Sequence, residues 1–283
     1  MTQITAKIAA ASVALLPLLA PVAQAETSQS EGYNFSTPRV STQSSGAGMK
    51  FTLGAGVSVS PEYPGSDDYT AGPDMVFRIH ALQYGGLTYG NPDPYAEKSG
   101  LGVSGSFRYI GKRDSSDYDE LAGLSDVDAS LEMGLGLSYD TDYYKVYSDV
   151  RYGVIGHNTW VGEVGADLKL HPTERLTLTM GPRAFWGTER YAQTYYGVSA
   201  AEAAASAAAG GSLTAFDPDG GFLSAGVEFG AKYRFDGGWG VEGSVRYDKL
   251  MNDAKDSPIT KAGSDEQWSM KFDVTRVFTL GAM

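Results

Sequence analysis

The sequence contains no cysteine. That excludes a disulfide framework, a thiolate metal site and a cysteine nucleophile. It also excludes a lipid-modified N-terminal cysteine, so any membrane attachment has to come from the fold itself. Histidine is nearly as scarce: His80, His157 and His171 are the only three. Lys and Arg total 22 against 34 Asp and Glu, a formal net charge of −12. So acidic a chain lacks the clustered cations that phosphate backbones require, which excludes nucleic acid as the expected partner. After the N-terminus there is no apolar run of the roughly 18 residues that a membrane helix needs. What is abundant is Gly, with 36 residues, and Tyr, with 18, a balance that favours sheet over helix.

The first residues read as an export signal. Lys7 supplies a sparse positive region, Ile8 to Leu19 is apolar apart from Ser12 and Pro17, and Ala23-Gln24-Ala25 is a small-residue cleavage site. A short transmembrane anchor is the competing reading, but the stretch is too short and its flank is wrong. Residues 1–25 are therefore expected to be a signal peptide, and 26–48, rich in Ser, Thr and Gln without periodicity, a flexible leader. The patterned domain is expected over 49–283.

From Lys50 onward apolar and polar residues alternate strictly. Val127, Ala129, Leu131, Met133, Leu135, Leu137 and Tyr139 share one face, and Asp128, Ser130, Glu132, Gly134, Gly136 and Ser138 the other. The same period of two recurs over Tyr144–Val154, Trp160–Leu170 and Leu223–Phe235. Period two means strands with one apolar and one polar face. Alternation alone does not distinguish a soluble sandwich, apolar inside, from a membrane barrel, apolar outside. Strand length favours the barrel, since several segments reach the roughly 9–11 residues that a tilted membrane strand needs. So do the aromatics near strand ends (Tyr139, Tyr143, Tyr144, Trp160, Trp186, Phe235, Trp239, Tyr247, Trp268), the mixed charges and glycines on the polar faces, and the export signal. Connections alternate as well: short at 140–142, 171–174 and 236–238, long at 61–72, 111–125, 188–220 and 251–264.

The expected fold is thus all-β: a closed antiparallel transmembrane β-barrel in the outer membrane of a Gram-negative cell, with outer-membrane lipid around it. About ten strands are expected, near 50–60, 73–90, 100–110, 126–139, 143–155, 160–170, 175–187, 221–235, 239–250 and 266–280. The alternative is twelve, because 73–90 reads equally as a hairpin broken at Gly85-Gly86.

Several stretches carry a resemblance. They are Pro61-Glu62-Tyr63-Pro64-Gly65-Ser66-Asp67-Asp68-Tyr69, Gly123-Leu124-Ser125-Asp126-Val127-Asp128, Gly181-Pro182-Arg183, Tyr191-Ala192-Gln193-Thr194-Tyr195-Tyr196-Gly197-Val198 and Asp256-Ser257-Pro258-Ile259. In this order they resemble the MltA-interacting protein (MipA/OmpV) family of outer-membrane proteins, over 50–280. The resemblance implies a non-enzymatic scaffold of the cell envelope whose partners include periplasmic murein hydrolase or synthase proteins. It implies no cofactor and no catalytic residue. A narrow channel for small solutes is the alternative function. One departure stands out: barrels of this kind end on an aromatic, whereas here Phe278 is followed by Thr279-Leu280-Gly281-Ala282-Met283, a shifted signal or a frayed tail.

Parity places a set of charges on the polar faces: Glu132, Asp149, Arg151, Glu163, Asp167, Lys169, Arg183, Glu228, Lys232, Arg234, Glu242 and Arg246, with Lys271 and Asp273 beside them. A barrel of about ten strands is narrow beside water-filled porins of about 16 to 18. Isolated charges would be costly there, so a lumen charge network is expected, with Arg183 paired to Glu163 or Asp167. Other chemistry is weaker. His157 and His171 read as solvated turn residues. Asp67, Asp68, Asp114, Asp117, Asp119 and Glu120 could offer oxygen ligands to calcium, but lack a metal-loop spacing and read as loop charge. Ser199–Ala209 is a helix former in the longest loop, expected as a short surface helix in preference to a plug.

Overall fold

The computed structural model describes residues 39–40, 47–84, 87–96 and 99–281. The expected signal peptide and most of the expected leader lie outside them. The strands are β1 (Arg39–Val40), β2 (Gly48–Pro61), β3 (Tyr69–Tyr84), β4 (Leu87–Gly90), β5 (Gly100–Ile110), β6 (Ser130–Asp140), β7 (Tyr144–Ile155), β8 (Trp160–Thr173), β9 (Leu176–Gly187), β10 (Gly221–Arg234), β11 (Trp239–Leu250) and β12 (Glu266–Gly281). Four helices interrupt the long loops: α1 (Glu189–Tyr196) and α2 (Ala200–Ala208) after β9, α3 (Asn252–Asp256) and α4 (Pro258–Ala262) after β11.

All strands join one antiparallel sheet in the order β1-β4-β3-β2-β12-β11-β10-β9-β8-β7-β6-β5. Ten of them are long, and they curl into a barrel wall. The stretch 73–90 is the hairpin β3–β4, with Ala81 opposite Gly90 and Tyr84 opposite Leu87. The count of long wall strands stays at ten because the short β4 runs in the same direction as β5 and adds no crossing of its own. Within the expected leader, Arg39–Val40 adds to β4. Thr279 to Gly281 of the tail expected to be frayed are paired: β12 pairs with β2 as far as Gly281 opposite Gly48. Phe278 stacks on Phe51 at 5.6 Å, with Phe77 at 6.0 Å on the other side of Phe51.

The alternation is inverted relative to a soluble core. On β6 Met133, Leu135 and Leu137 are exposed while Ser130, Glu132 and Ser138 are buried. On β5 Leu101, Val103 and Phe107 are exposed while Ser104 and Ser106 are buried. Exposed aromatics ring both ends of this apolar belt. Tyr139, Tyr143, Tyr144, Phe235 and Trp239 stand at the short-turn end, and Tyr69, Trp160, Phe222 and Trp268 at the long-loop end. Apolar outside, polar inside and two aromatic girdles are the pattern of an outer-membrane barrel, with short turns periplasmic and long loops outward. The tight turns have local causes. At 140–144 the Thr141 hydroxyl accepts from the amides of Tyr143 and Tyr144 at 3.2 and 3.0 Å.

The inversion is tested at Leu135, 67 % exposed in the middle of β6. At a solvated surface an arginine would be neutral there. At bilayer depth Leu135→Arg should destabilise the protein by about 2–4 kcal/mol, measured by urea unfolding in lipid vesicles.

Candidate functional site

Inside the wall, the inward residues of facing strands meet and pair. Nearest the long loops, Glu132 is wholly buried. It accepts from the Arg108 guanidinium at 2.7 Å and from Arg151 Nε at 3.0 Å, with His157 Nε2 3.1 Å away. His157 Nδ1 accepts the Thr159 amide at 3.3 Å, so the ring proton sits on Nε2 and points at Glu132. The expectation of a solvated His157 is therefore corrected: the ring is 3 % exposed, folded inward by the turn at Gly156. Asp149 lies 3.6 Å from Arg151 and accepts from Ser106.

A middle tier follows. Arg246 reaches Glu163 at 3.0 Å and also Asp248, while Tyr147 donates to Glu163 at 2.8 Å. Arg183 donates to Asp167 at 2.7 Å and has Glu228 at 3.5 Å. Of the two acidic partners expected for Arg183, the strand register brings it to Asp167, and Glu163 goes to Arg246. Toward the periplasmic mouth Lys169 holds Asp140 at 3.0 Å, Arg78 pairs with Glu242, and Lys232 lies 3.9 Å from Glu242. Arg234 donates to the Glu174 carbonyl and lies over the Tyr95 ring at 4.5 Å, which draws the 91–96 loop across that mouth. Arg78, Arg108 and Asp74 were missed in the sequence, although parity in 73–90 and 100–110 would have placed them; Asp140, expected in the short connection 140–142, instead ends β6. His80 faces inward with Thr52 Oγ1 at 2.7 Å, and His171, expected in a turn, lies within β8 near its periplasmic end.

Between these tiers lies a cavity of about 490 Å³. Its lining runs from Arg151 and Arg246 down to His171, Glu174, Arg234 and Trp239, so it opens toward the short-turn end. The other end is occupied by a lid. Tyr191, Ala192, Tyr195 and Tyr196 of α1 pack with Ile110, Val161, Phe185, Leu223 and Leu250 from the tops of β5, β8, β9, β10 and β11. Arg108 donates to the Tyr191 hydroxyl at 2.8 Å and lies over Phe185 at 4.4 Å. The Tyr195 hydroxyl donates to Ser130 at 2.8 Å, and Arg113 donates to the Tyr195 carbonyl at 3.1 Å. A second small core of Tyr63, Leu121, Leu124, Val198, Leu213 and Ile259 ties the other loops together above it. A side cavity of about 130 Å³ remains between α1 and the β2–β12 wall.

The mouth is thus filled by α1, where the sequence reading saw only loop. The Ala-rich helix α2 lies mostly exposed on top, with Ser206 buried. Gly123, at φ +94°, lets the 123–128 loop approach it; a Cβ there would stand 2.3 Å from the Ser206 amide nitrogen. Glu202 closes the capping box of α2 and clamps the same loop, accepting from Ser199 and from the Ser125 amide. Burial pushes the Glu202 carboxyl up, but these hydrogen bonds bring it down to about 2. Of the loop carboxylates, Asp114 pairs with Lys112 at 2.9 Å and Glu120 accepts from Tyr63 at 2.8 Å. No metal-binding group forms among the described residues.

Four of the five stretches singled out in the sequence build this lid, and the fifth supplies Arg183. Residues 53–278 match the model of the family described as MltA-interacting protein MipA. The chain belongs to that family. Among its relatives is the MltA-interacting protein of Escherichia coli (strain K12), 28% identical over 229 residues, which are 78% of this chain and 86% of that protein. The Shigella flexneri protein of the same name matches equally. Solved structures it is similar to include Salmonella typhi OmpF in complex with Daunomycin, at 10% identity, TM-score 0.36, covering 82% of this chain and 97% of that one. Another is the outer membrane channel DcaP of Acinetobacter baumannii, at 10% identity, TM-score 0.35, with the same coverage.

Two outcomes follow for a MipA-family barrel built this way. Arg183→Ala removes the guanidinium that Asp167 accepts from and should cost about 3–5 kcal/mol in vesicle unfolding, whereas Asp117→Ala, in an exposed loop, should cost nothing measurable. Equal, negligible losses would mean that Arg183 sits in water. For Glu202, whose value is depressed in the folded protein, the stabilisation is fully present above its ordinary 4.5 and is lost as pH falls toward 2. Pepsin cleavage within 199–209 should therefore rise between pH 4.5 and 2, and Glu202→Gln should flatten that rise.

Proposed function

We propose that this protein is an outer-membrane scaffold that anchors or recruits envelope partners at its periplasmic end. The observation that carries the reading is the lid. With α1 packed into the outward mouth and the charged lumen paired beneath it, the barrel is organised as a closed plug on the outside and an open recess on the inside. The inward charges are read here as a structural network that braces the wall. The relatives' name, MltA-interacting protein, names a partner for them; carried to this chain, it points to a murein-remodelling enzyme or its assembly as the recruited partner. The recess, ringed by the turns at 141–143, 174–175 and 235–238, is the surface on the correct side of the membrane for it.

A narrow channel is the second reading, favoured by the side cavity beside α1, which shares Glu163, Arg246 and Lys271 with the main one. The two separate in one set of measurements. A photo-crosslinking residue at Asp142, Glu174 or Asp236 should capture a periplasmic protein in intact cells, identified by mass spectrometry, and one at Asp117 should not. In planar bilayers the purified protein should give no large, stable conductance steps. Such steps, without periplasmic adducts, would replace the scaffold with the channel.

A further inference from the structure

The outermost of the ten long strands, β3 and β5, run antiparallel on either side of a seam. Over Tyr69–Ile79 and Gly100–Ile110 neither edge has a ladder partner across the seam among the described residues. Met75 and Phe77 of β3 and Gly105 and Phe107 of β5 lie on the outward faces by parity. Met75 is 77 % exposed, yet all four line the same cavity as the luminal charges. The cavity therefore extends through the wall between the two strands. Backbone without a ladder is tolerated at membrane depth only where it lines such a cavity, not where it faces hydrocarbon.

Just inside the seam the chemistry changes. Asp74, next to Met75, lies in register with Gly56, and Gly56 in turn with Asp273. A Cβ at position 56 would stand 2.5 Å from Asp273 Oδ1, so glycine there makes room for the carboxylate. Both acids are 3 % exposed, and Oδ1 of each has no hydrogen-bond partner. Lys271 Nζ lies 3.8 Å from Asp74 Oδ2. Buried carboxylate oxygens without donors are costly, and a donor-bearing group entering from the seam would satisfy both. A phosphate attached to that group would meet Lys271.

We propose that the β3–β5 seam is a lateral entrance for a single-chain amphiphile with an ammonium-bearing zwitterionic head. Its chain lies against Met75, Phe77 and Phe107, and its ammonium binds between Asp74 and Asp273. The cavity, at about 490 Å³, is of the size of small-molecule sites. The lid leaves the membrane and the periplasm as its approaches, and the apolar rim of the seam selects the membrane.

Native mass spectrometry of the folded full chain in detergent tests this, with myristoyl lysophosphatidylethanolamine and myristoyl lysophosphatidylglycerol as probes. The ethanolamine lipid should bind one per chain and at least tenfold more tightly than the glycerol lipid, which lacks the ammonium. Asp74→Asn combined with Asp273→Asn should remove that tenfold preference, and Gly105→Trp, which fills the seam, should weaken both lipids. Heat-modifiable migration checks that each variant is folded. Should one fail to fold, Met75→Cys combined with Phe107→Cys is folded first and then bridged with a bismaleimide, in a chain with no other thiol. Equal binding of the two lipids overturns the proposal, as does binding unchanged by the substitutions or by bridging.

Discussion

A chain that crosses hydrocarbon has no water to satisfy its amides, so each strand must give its hydrogen bonds to a neighbour. Most of this structure follows from that demand. It requires strands long enough to span the membrane, a ladder that runs from β3 round to β5, and turns short enough on the periplasmic side to keep neighbours adjacent. It also inverts the usual placement of side chains. With the backbone satisfied internally, Leu135 or Phe229 faces outward at no cost, and polar residues are sent into a lumen too narrow to hydrate them fully. The long lapse in the ladder, between β3 and β5, is also where the cavity reaches the outer surface.

The second level is electrostatic. Inward charges in a narrow barrel must neutralise one another, and the register determines which do. Glu132 collects Arg108, Arg151 and His157 because β5, β6 and β7 are consecutive neighbours and the turn at Gly156 returns His157 over them. Arg183 and Arg246 each hold an acid from an adjacent or facing strand. These pairs tie neighbouring strands together and, through Arg246 and Glu163, strands distant in sequence, which stiffens the wall. They also present the lid with a polar floor on which the tyrosines of α1 find partners for their hydroxyls.

The lid joins fold to function. Aromatic burial at the outward mouth and an open recess at the periplasmic mouth make the two ends chemically different: one is a packed core, the other a ring of short turns around charged and aromatic side chains. A partner approaching from the periplasm meets the second, and a solute approaching from outside meets the first.

Strand positions, their inward and outward faces and the two aromatic girdles were legible in the sequence. They rest on a period of two and on turn residues, both local properties of the chain. Arg183 and Asp167 could be placed on inward faces by the same parity. The hairpin at 85–86 was left open because two glycines permit either a bend or a turn, and the choice depends on what lies beside the strand. The pairing of Arg183 with Asp167 and of Arg246 with Glu163 needed the register, which is a relation between strands. The buried His157, the lid helix α1 in what read as loop, and the seam between β3 and β5 came from the tertiary structure alone. Each depends on residues far apart in the chain arriving at one place, and no periodicity along a single strand encodes that distance.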